Sequence, residues 1–506
     1  MPNSCYIKTM DEITERDNFL YWIDGNGPRR APVSVQALAA LEHRGADLRP
    51  LYHYQYMRVV AARNYRYPWS LLIADEMGVG KSASAIACMV ASESEKTLIV
   101  CPNNVKLQWR RVLHDWVVAC PYVFVCDGLT YSTYDVACVN NAKIVVISYN
   151  LLYAWREVIC SSKWDMMVCD ESQRLKKSSA QCTCAAKVIR EFVEAGICLS
   201  GTPLTDRNAD IYNTIWMVDR TLFPSEPEFH QRYCDGFVDK FNRSSVSVNT
   251  LELHRKLVSS GVMVRATKKQ VYKELPKVSV EIVPIAESNS TLEGIEKTAA
   301  KLRESADLAY GALRSRCLFQ MQRSLEDYAQ EAIKLKLPHI IQWIEAFLDD
   351  TDSKLIVSCV HREKCGDILF NKFKNLAVLV DGSITSKVKD EALTKFIKDK
   401  ATRLLIGNIQ SISAGIDGLQ TVCKDLAVCE LPWSPGDLAQ LFARLDRNGQ
   451  KDSVSIWIHT IYNSLDESRA RLLDKKSNIM SEVLDGKSLE SHKKLITLMG
   501  KRRQHL

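Results

Sequence analysis

Two segments of this chain carry residue types whose spacing suits phosphate chemistry. The first reads Leu71-Leu72-Ile73-Ala74-Asp75-Glu76-Met77-Gly78-Val79-Gly80-Lys81-Ser82 and continues Ala83-Ser84-Ala85-Ile86-Ala87-Cys88, an apolar strand running through a glycine-bearing turn into a helix. Phosphates are wrapped by backbone N–H groups, and the wrapping needs positions without side chains, here Gly78 and Gly80. Lys81 would reach the β- and γ-phosphates, Ser82 would hold Mg2+, and the new helix would aim its positive end at the anion. Asp75 occupies the first glycine position of the plain G-x4-G-K-[ST] pattern. A Gly-Lys-Ser turn also arises by chance, so a second half of the site must be found. Trp164-Asp165-Met166-Met167-Val168-Cys169-Asp170-Glu171-Ser172-Gln173, an apolar strand ending in two adjacent acids, supplies it. Asp170 would bind the metal, and Glu171 would orient and deprotonate an attacking water.

Two further pieces fit. Leu199-Ser200-Gly201-Thr202-Pro203 ends another apolar run with small hydroxyl residues, suited to sensing the acid pair. In Gln440-Leu441-Phe442-Ala443-Arg444-Leu445-Asp446-Arg447-Asn448-Gly449-Gln450, Arg444 and Arg447 stand one helical turn apart and share a face. They would neutralise the γ-phosphate as arginine fingers. Taken alone, a pair of arginines on a helix is more often a solvated face.

These residues need rigid elements to hold them. Short runs at 71–74, 97–100, 144–147, 166–169 and 197–199, then at 355–358, 376–380, 403–406, 426–429 and 454–458, are apolar and mostly rich in branched residues. Separated by longer mixed segments, they predict buried parallel strands in two doubly wound α/β sheets. Between the sets, Ser288 to Leu335 has apolar residues at helical spacing, with Pro276 and Pro338 marking its approach and exit. The expected division is an N-terminal extension 1–45, a first lobe 46–276 with a helical protrusion at about 205–262, a linker and helical insertion 277–334, a second lobe 335–485 and a basic tail 486–506.

Composition adds exclusions. The 506 residues are 46% hydrophobic and 25% charged, which is ordinary for globular protein and argues against disorder or fibrous repeats. A net charge of +7 is too mild to name a partner. The 17 cysteines are odd in number and follow no secretory segment, so reduced core thiols are expected rather than disulfides. Without a Cys-x-x-Cys pair no structural zinc is expected, and without a long apolar run no membrane span.

The set resembles the SWI/SNF-type ATPases of helicase superfamily two, whose phosphate loop reads Asp-Glu-Met-Gly-x-Gly-Lys-Ser/Thr. Asp75 to Ser82 match every fixed position, including the departure at Asp75. The resemblance implies two RecA-like P-loop lobes and Mg-ATP. It implies adenine reading by Gln55 in Leu51-Tyr52-His53-Tyr54-Gln55, and nucleotide contacts from Asp75, Glu76, Gly78, Val79, Gly80, Lys81, Ser82, Asp417 and Gln440. It also implies sequence-independent contacts to double-stranded DNA from Asn103, Lys106, Trp109, Tyr149, His361, Arg362, Ser411 and Ser413, and coupling of hydrolysis to DNA through Gln173, Ser200, Gly201 and Thr202. Matches extend through Val146-Ile147-Ser148-Tyr149, Met263-Val264-Arg265-Ala266-Thr267-Lys268 and Val380-Asp381-Gly382-Ser383. Asp170-Glu171-Ser172-Gln173 and Arg232-Tyr233-Cys234-Asp235 are most similar to the annealing-helicase and fork-remodelling branch, where histidine is usual in place of Gln173. Thr205-Asp206, Ile416 and Lys177 are further departures.

The implied activity is ATP-dependent translocation on duplex DNA that remodels DNA or protein–DNA complexes, with strand annealing or fork remodelling as output. A strand-separating DNA or RNA helicase is the alternative enzyme, because an ATP site does not choose the polymer. A non-translocating ATP-binding scaffold is the alternative of another class. The expected location is intracellular: the nucleus for a eukaryote or a nuclear-replicating virus, the cytoplasm for a bacterium or phage.

Overall fold

A computed structural model describes residues 51–117, 120–234, 247–272, 274–287, 290–308, 311–384, 386–413, 418–462 and 464–486. The expected extension 1–45 and the tail from 487 lie outside these residues, as do Asp235, Ile416 and Asp417. The described chain forms two compact units. One takes the residues up to 234, 247–272 and 479–486; the other takes 274–478.

The first unit is built on seven parallel strands: β1 (Leu71–Ile73), β2 (Thr97–Cys101), β3 (Val123–Val125), β4 (Ile144–Ser148), β5 (Trp164–Asp170), β6 (Val193–Leu199) and β7 (Met263–Val264). Their order is β3-β4-β2-β5-β6-β1-β7. Side chains alternate across a strand, and the apolar runs bury both faces. Leu72, Leu98, Val100, Val145, Ile147, Met167 and Cys169 pack in one core. Their neighbours Leu71, Ile73, Ile99, Val146, Met166 and Val168 pack in the other.

The second unit has six parallel strands: β8 (Val278–Ile285), β9 (Leu355–Cys359), β10 (Ala377–Val380), β11 (Leu404–Asn408), β12 (Asp425–Val428) and β13 (Val454–Ile461), ordered β10-β11-β9-β12-β13-β8. The same alternation sends Ile356, Leu405, Leu426 and Ile456 to one core and Leu355, Val357, Leu404 and Ala427 to the other. The two expected parallel sheets are thus present, with corrections at their margins. Residues 278–285, expected in the linker, form edge strand β8, paired along its whole length with β13. Pro338 does not end the insertion; it lies within a helix spanning Gly311–Asp350. Ile333, Leu337, Ile340 and Ile344 are buried along that stretch, and their packing offsets a proline cost of about 3 kcal/mol. The last turns of the helix Leu465–Asp485 group with the first unit, not the second. There Glu482 accepts from Thr250 at 2.6 Å and Asp485 pairs with Arg265 at 2.6 Å.

Among the described residues the cysteines are free thiols, no group of three or more His, Cys, Asp or Glu side chains is placed to hold a metal ion, and no helix is long and apolar enough to cross a membrane.

Candidate active site

The phosphate loop leaves the C-terminal end of β1. Gly78 and Gly80 take φ of 81° and 90°, a region that side chains disfavour, and Gly80 caps the helix Lys81–Ala91. A Cβ on Gly80 would also come within 2.8 Å of Gln55 Nε2. Neighbouring elements brace the loop from behind. Asp75, fully buried, takes Arg58 Nε at 3.1 Å and Nη2 at 2.5 Å, and accepts the Ala266 N–H at 2.7 Å. Glu76 accepts the Lys268 N–H at 2.7 Å. Tyr54 donates to the Val79 carbonyl, and Arg265 donates to the Ala74 carbonyl at 2.7 Å. The carboxylates of Asp75 and Glu76 therefore hold the loop's shape. Gln55 is buried beside the loop, accepting the Tyr52 N–H at 2.9 Å and donating to the Gly80 carbonyl at 3.3 Å.

Lys81 is half-buried as a residue, but its amino group is enclosed and donates to the carbonyls of Asp75 at 3.0 Å and Glu76 at 3.4 Å. Burial lowers its pKa, and the charges of Glu171, Asp75 and Asp170 oppose that shift. Ser82 follows it, half-buried in the first helical turn.

The acid pair stands at the end of β5, two strands from β1. Asp170 Oδ2 accepts the Trp109 indole N–H at 2.8 Å, its Oδ1 accepts the Glu171 N–H at 3.0 Å, and its carbonyl accepts the Tyr149 hydroxyl at 2.8 Å. Its pKa is pushed up to about 6 by burial first and then by the charge of Glu171. Glu171 sits at φ 51°, so the chain turns sharply between the two carboxylates. Strain of this kind, of order 1 kcal/mol, collects at functional sites. A relay follows: Gln173 Nε2 donates to Glu171 Oε2 at 2.6 Å, Ser200 Oγ donates to Gln173 Oε1 at 2.6 Å, and the Thr202 N–H donates to Ser200 Oγ at 3.1 Å. Gly201 lies against the loop so closely that a Cβ would meet Met77 Cγ at 2.5 Å and Lys81 Nζ at 3.3 Å. Lys81, Asp170, Glu171, Gln173, Ser200 and Gly201 are thus brought together. A cradle that only glycine fits, an enclosed ammonium held by main-chain carbonyls, and two acids nearby suit a triphosphate with Mg2+.

The expected polymer contacts fare differently. Asn103 is exposed, but Lys106, Trp109 and Tyr149 are buried at 6%, 3% and 2% exposure, so they are not presented to a polymer as expected. Lys106 donates inward to the Cys126 carbonyl at 2.9 Å and pairs with Asp127 at 3.0 Å. In the second unit His361 sits between Glu430 at 2.5 Å and Glu326 at 2.9 Å. Arg362 is exposed yet paired with Asp381 at 2.8 Å and Asp367 at 3.1 Å. Ser413 is buried, and Ser411 accepts Lys389 Nζ at its carbonyl at 2.8 Å. Gln440 is half-buried on the helix Pro435–Phe442. That helix stops at Phe442, so Arg444 and Arg447 lie in the turns beyond it, both half-buried, and do not share a helical face. Sequence reasoning missed Arg58, whose signal was an acid in a glycine's place that needed a partner. It also gave Arg265 no role of its own.

A parallel sheet carrying a Gly-x-Gly-Lys-Ser loop on one strand and an Asp-Glu pair two strands away defines a P-loop nucleotide-binding lobe. The sequence matches the family profile described as SNF2-related domain over residues 52–323, more than half of the chain, and the chain belongs to that family. It is 26% identical over 417 residues to a Caenorhabditis elegans protein described as "SWI/SNF-related matrix-associated actin-dependent regulator of chromatin subfamily A-like protein 1 homolog", covering 82% of this chain and 59% of that one. It is 26% identical over 438 residues to the Bos taurus "DNA annealing helicase and endonuclease ZRANB3", covering 82% of this chain and 39% of that one. The chain thus spans well under two thirds of the length of these relatives. A solved structure, "Sulfolobus solfataricus SWI2/SNF2 ATPase core in complex with dsDNA", aligns at 18% identity with a TM-score of 0.40, covering 88% of this chain and 95% of that one.

Proposed function

We propose that the chain is an ATP-dependent translocase on double-stranded DNA that remodels DNA or protein–DNA complexes, with strand annealing or fork remodelling as its output. The observation that carries this reading is the relay Glu171–Gln173–Ser200 beside the enclosed Lys81 amino group, because it joins the hydrolytic acid to a neighbouring strand end. Lys81, the N–H groups of the loop and the start of the helix Lys81–Ala91 bind and orient the β- and γ-phosphates. Ser82 and Asp170 would hold Mg2+, which when bound offsets phosphate charge. Glu171, oriented by the Gln173 amide, takes the proton of the attacking water. Gln55 reads the adenine edge from its place behind Gly80.

The relatives named as a regulator of chromatin and a DNA annealing helicase favour duplex DNA as the polymer, annealing as an output and the nucleus as the location. The test is ATP-driven displacement of a third strand from a triplex on duplex DNA. Displacement by the wild-type chain, lost in Lys81→Ala and Glu171→Gln, is the expected result. Unwinding of a plain fork without triplex displacement would move the reading to a strand-separating helicase.

A further inference from the structure

We propose that Trp109 and Tyr149 are positioning residues for Asp170, fixing its carboxylate and its main chain so that the remaining lone pairs meet the metal. The inference rests on the Mg-ATP reading above and extends it to residues outside the phosphate loop and the acid pair. An indole N–H only donates, so the 2.8 Å bond from Trp109 Nε1 can be made only to an acceptor lone pair of Oδ2. With Oδ1 held by the Glu171 N–H at 3.0 Å, both oxygens are pinned and the plane of the carboxylate, otherwise broadly variable in torsion, is set. Each oxygen keeps a further lone pair for a cation.

Tyr149 acts on the other side. Its hydroxyl holds the Asp170 carbonyl at 2.8 Å, at the last residue before the chain passes to φ 51° at Glu171. The two aromatic residues come from different elements: Trp109 from the helix Lys106–Trp116 that follows β2, and Tyr149 from the start of the short helix that follows β4. β2 pairs directly with β5 and β4 pairs with β2, so adjacent strand ends converge on one acid. Core packing alone asks for large apolar side chains. It does not ask that the polar atoms of two buried aromatics both end on Asp170. Partners behind a metal ligand typically change metal affinity by about 10- to 100-fold.

The test uses the full chain, a non-hydrolysable ATP analogue and Mn2+ binding followed by electron paramagnetic resonance, with analogue affinity in EDTA as a second readout. Trp109→Phe and Tyr149→Phe should each weaken Mn2+ binding roughly ten-fold and leave metal-free analogue affinity unchanged. In an Asp170→Asn background, Trp109→Phe should add no further loss. Unchanged Mn2+ binding in both Phe variants, or an equal loss with and without the Asp170 carboxylate, would overturn the proposal. If Trp109→Phe lacks the native far-ultraviolet dichroism, Tyr149→Phe decides by the same comparison. Failure of the Mg-ATP reading would look different: the wild-type chain would bind neither analogue nor Mn2+, and both claims would fall together.

Discussion

Asp75 replaces a glycine in the phosphate loop, and its environment explains why glycine would not serve. Restoring the plain pattern with Asp75→Gly would leave Arg58 buried at 4% exposure without its carboxylate. Breaking one side of a buried pair costs about 3–5 kcal/mol, so the variant should melt well below wild type in thermal unfolding. An equal or higher midpoint would contradict the role given to Arg58. Two histidines of the second unit titrate in opposite senses. His361 is raised by its hydrogen bond to Glu430, helped by Glu326, so its stabilisation is complete below the unfolded value of about 6.5 and fades as pH rises through the folded value. His459 is 1% exposed, and burial pushes its pKa down to about 3. There the unfolded chain holds more protons between about pH 3 and 6.5, so stability rises with pH across that window. In urea unfolding, His361→Gln should cost more stability at about pH 5.5 than at about pH 8.5, whereas His459→Leu should be relatively favoured at about pH 5.5. The chemistry of Lys81, Asp170 and Glu171 was legible because residue type states it. The roles of Trp109 and Tyr149 were not, because which way an aromatic residue faces depends on its neighbours in three dimensions.

At the scale of elements, buried parallel strands announce themselves as continuous apolar runs, and all ten anticipated runs coincide with strands. Three strands escaped notice for physical reasons. β3 and β7 are only three and two residues long, and β8 is an edge strand with three of its eight residues exposed and only two buried, so no continuous apolar run marks it. Pro338 misled because proline usually ends a helix, yet here tertiary packing of the surrounding turns overrides the local cost. Pro338→Ala should therefore stabilise the second unit, by up to about 3 kcal/mol in chemical denaturation, without altering nucleotide binding. A loss of stability would mean that the ring's packing outweighs the missing N–H. The helix carrying Gln440 ends before Arg444, where Gly449 takes φ 93° and the chain runs through tight turns. Arginine spacing alone did not reveal that stop.

For the whole molecule, family membership and the geometry of the first unit support a P-loop nucleotide site, while the motor activity and the polymer it follows are the substance of the proposal. Gln173 bridges Glu171 and Ser200, so Gln173→His should change how strongly polymer stimulates hydrolysis while nucleotide affinity holds steady. If stimulation and basal rate are both unaltered, the bridge does not couple the two. The central claim is tested most directly by the steady-state ATPase rate with duplex DNA, single-stranded DNA, RNA and no polymer, using Lys81→Ala and Glu171→Gln as inactive controls. Duplex DNA should stimulate most, and added salt should weaken that stimulation, because the contacts fall on phosphates. Equal rates with and without any polymer, or a clear preference for RNA, would contradict the account.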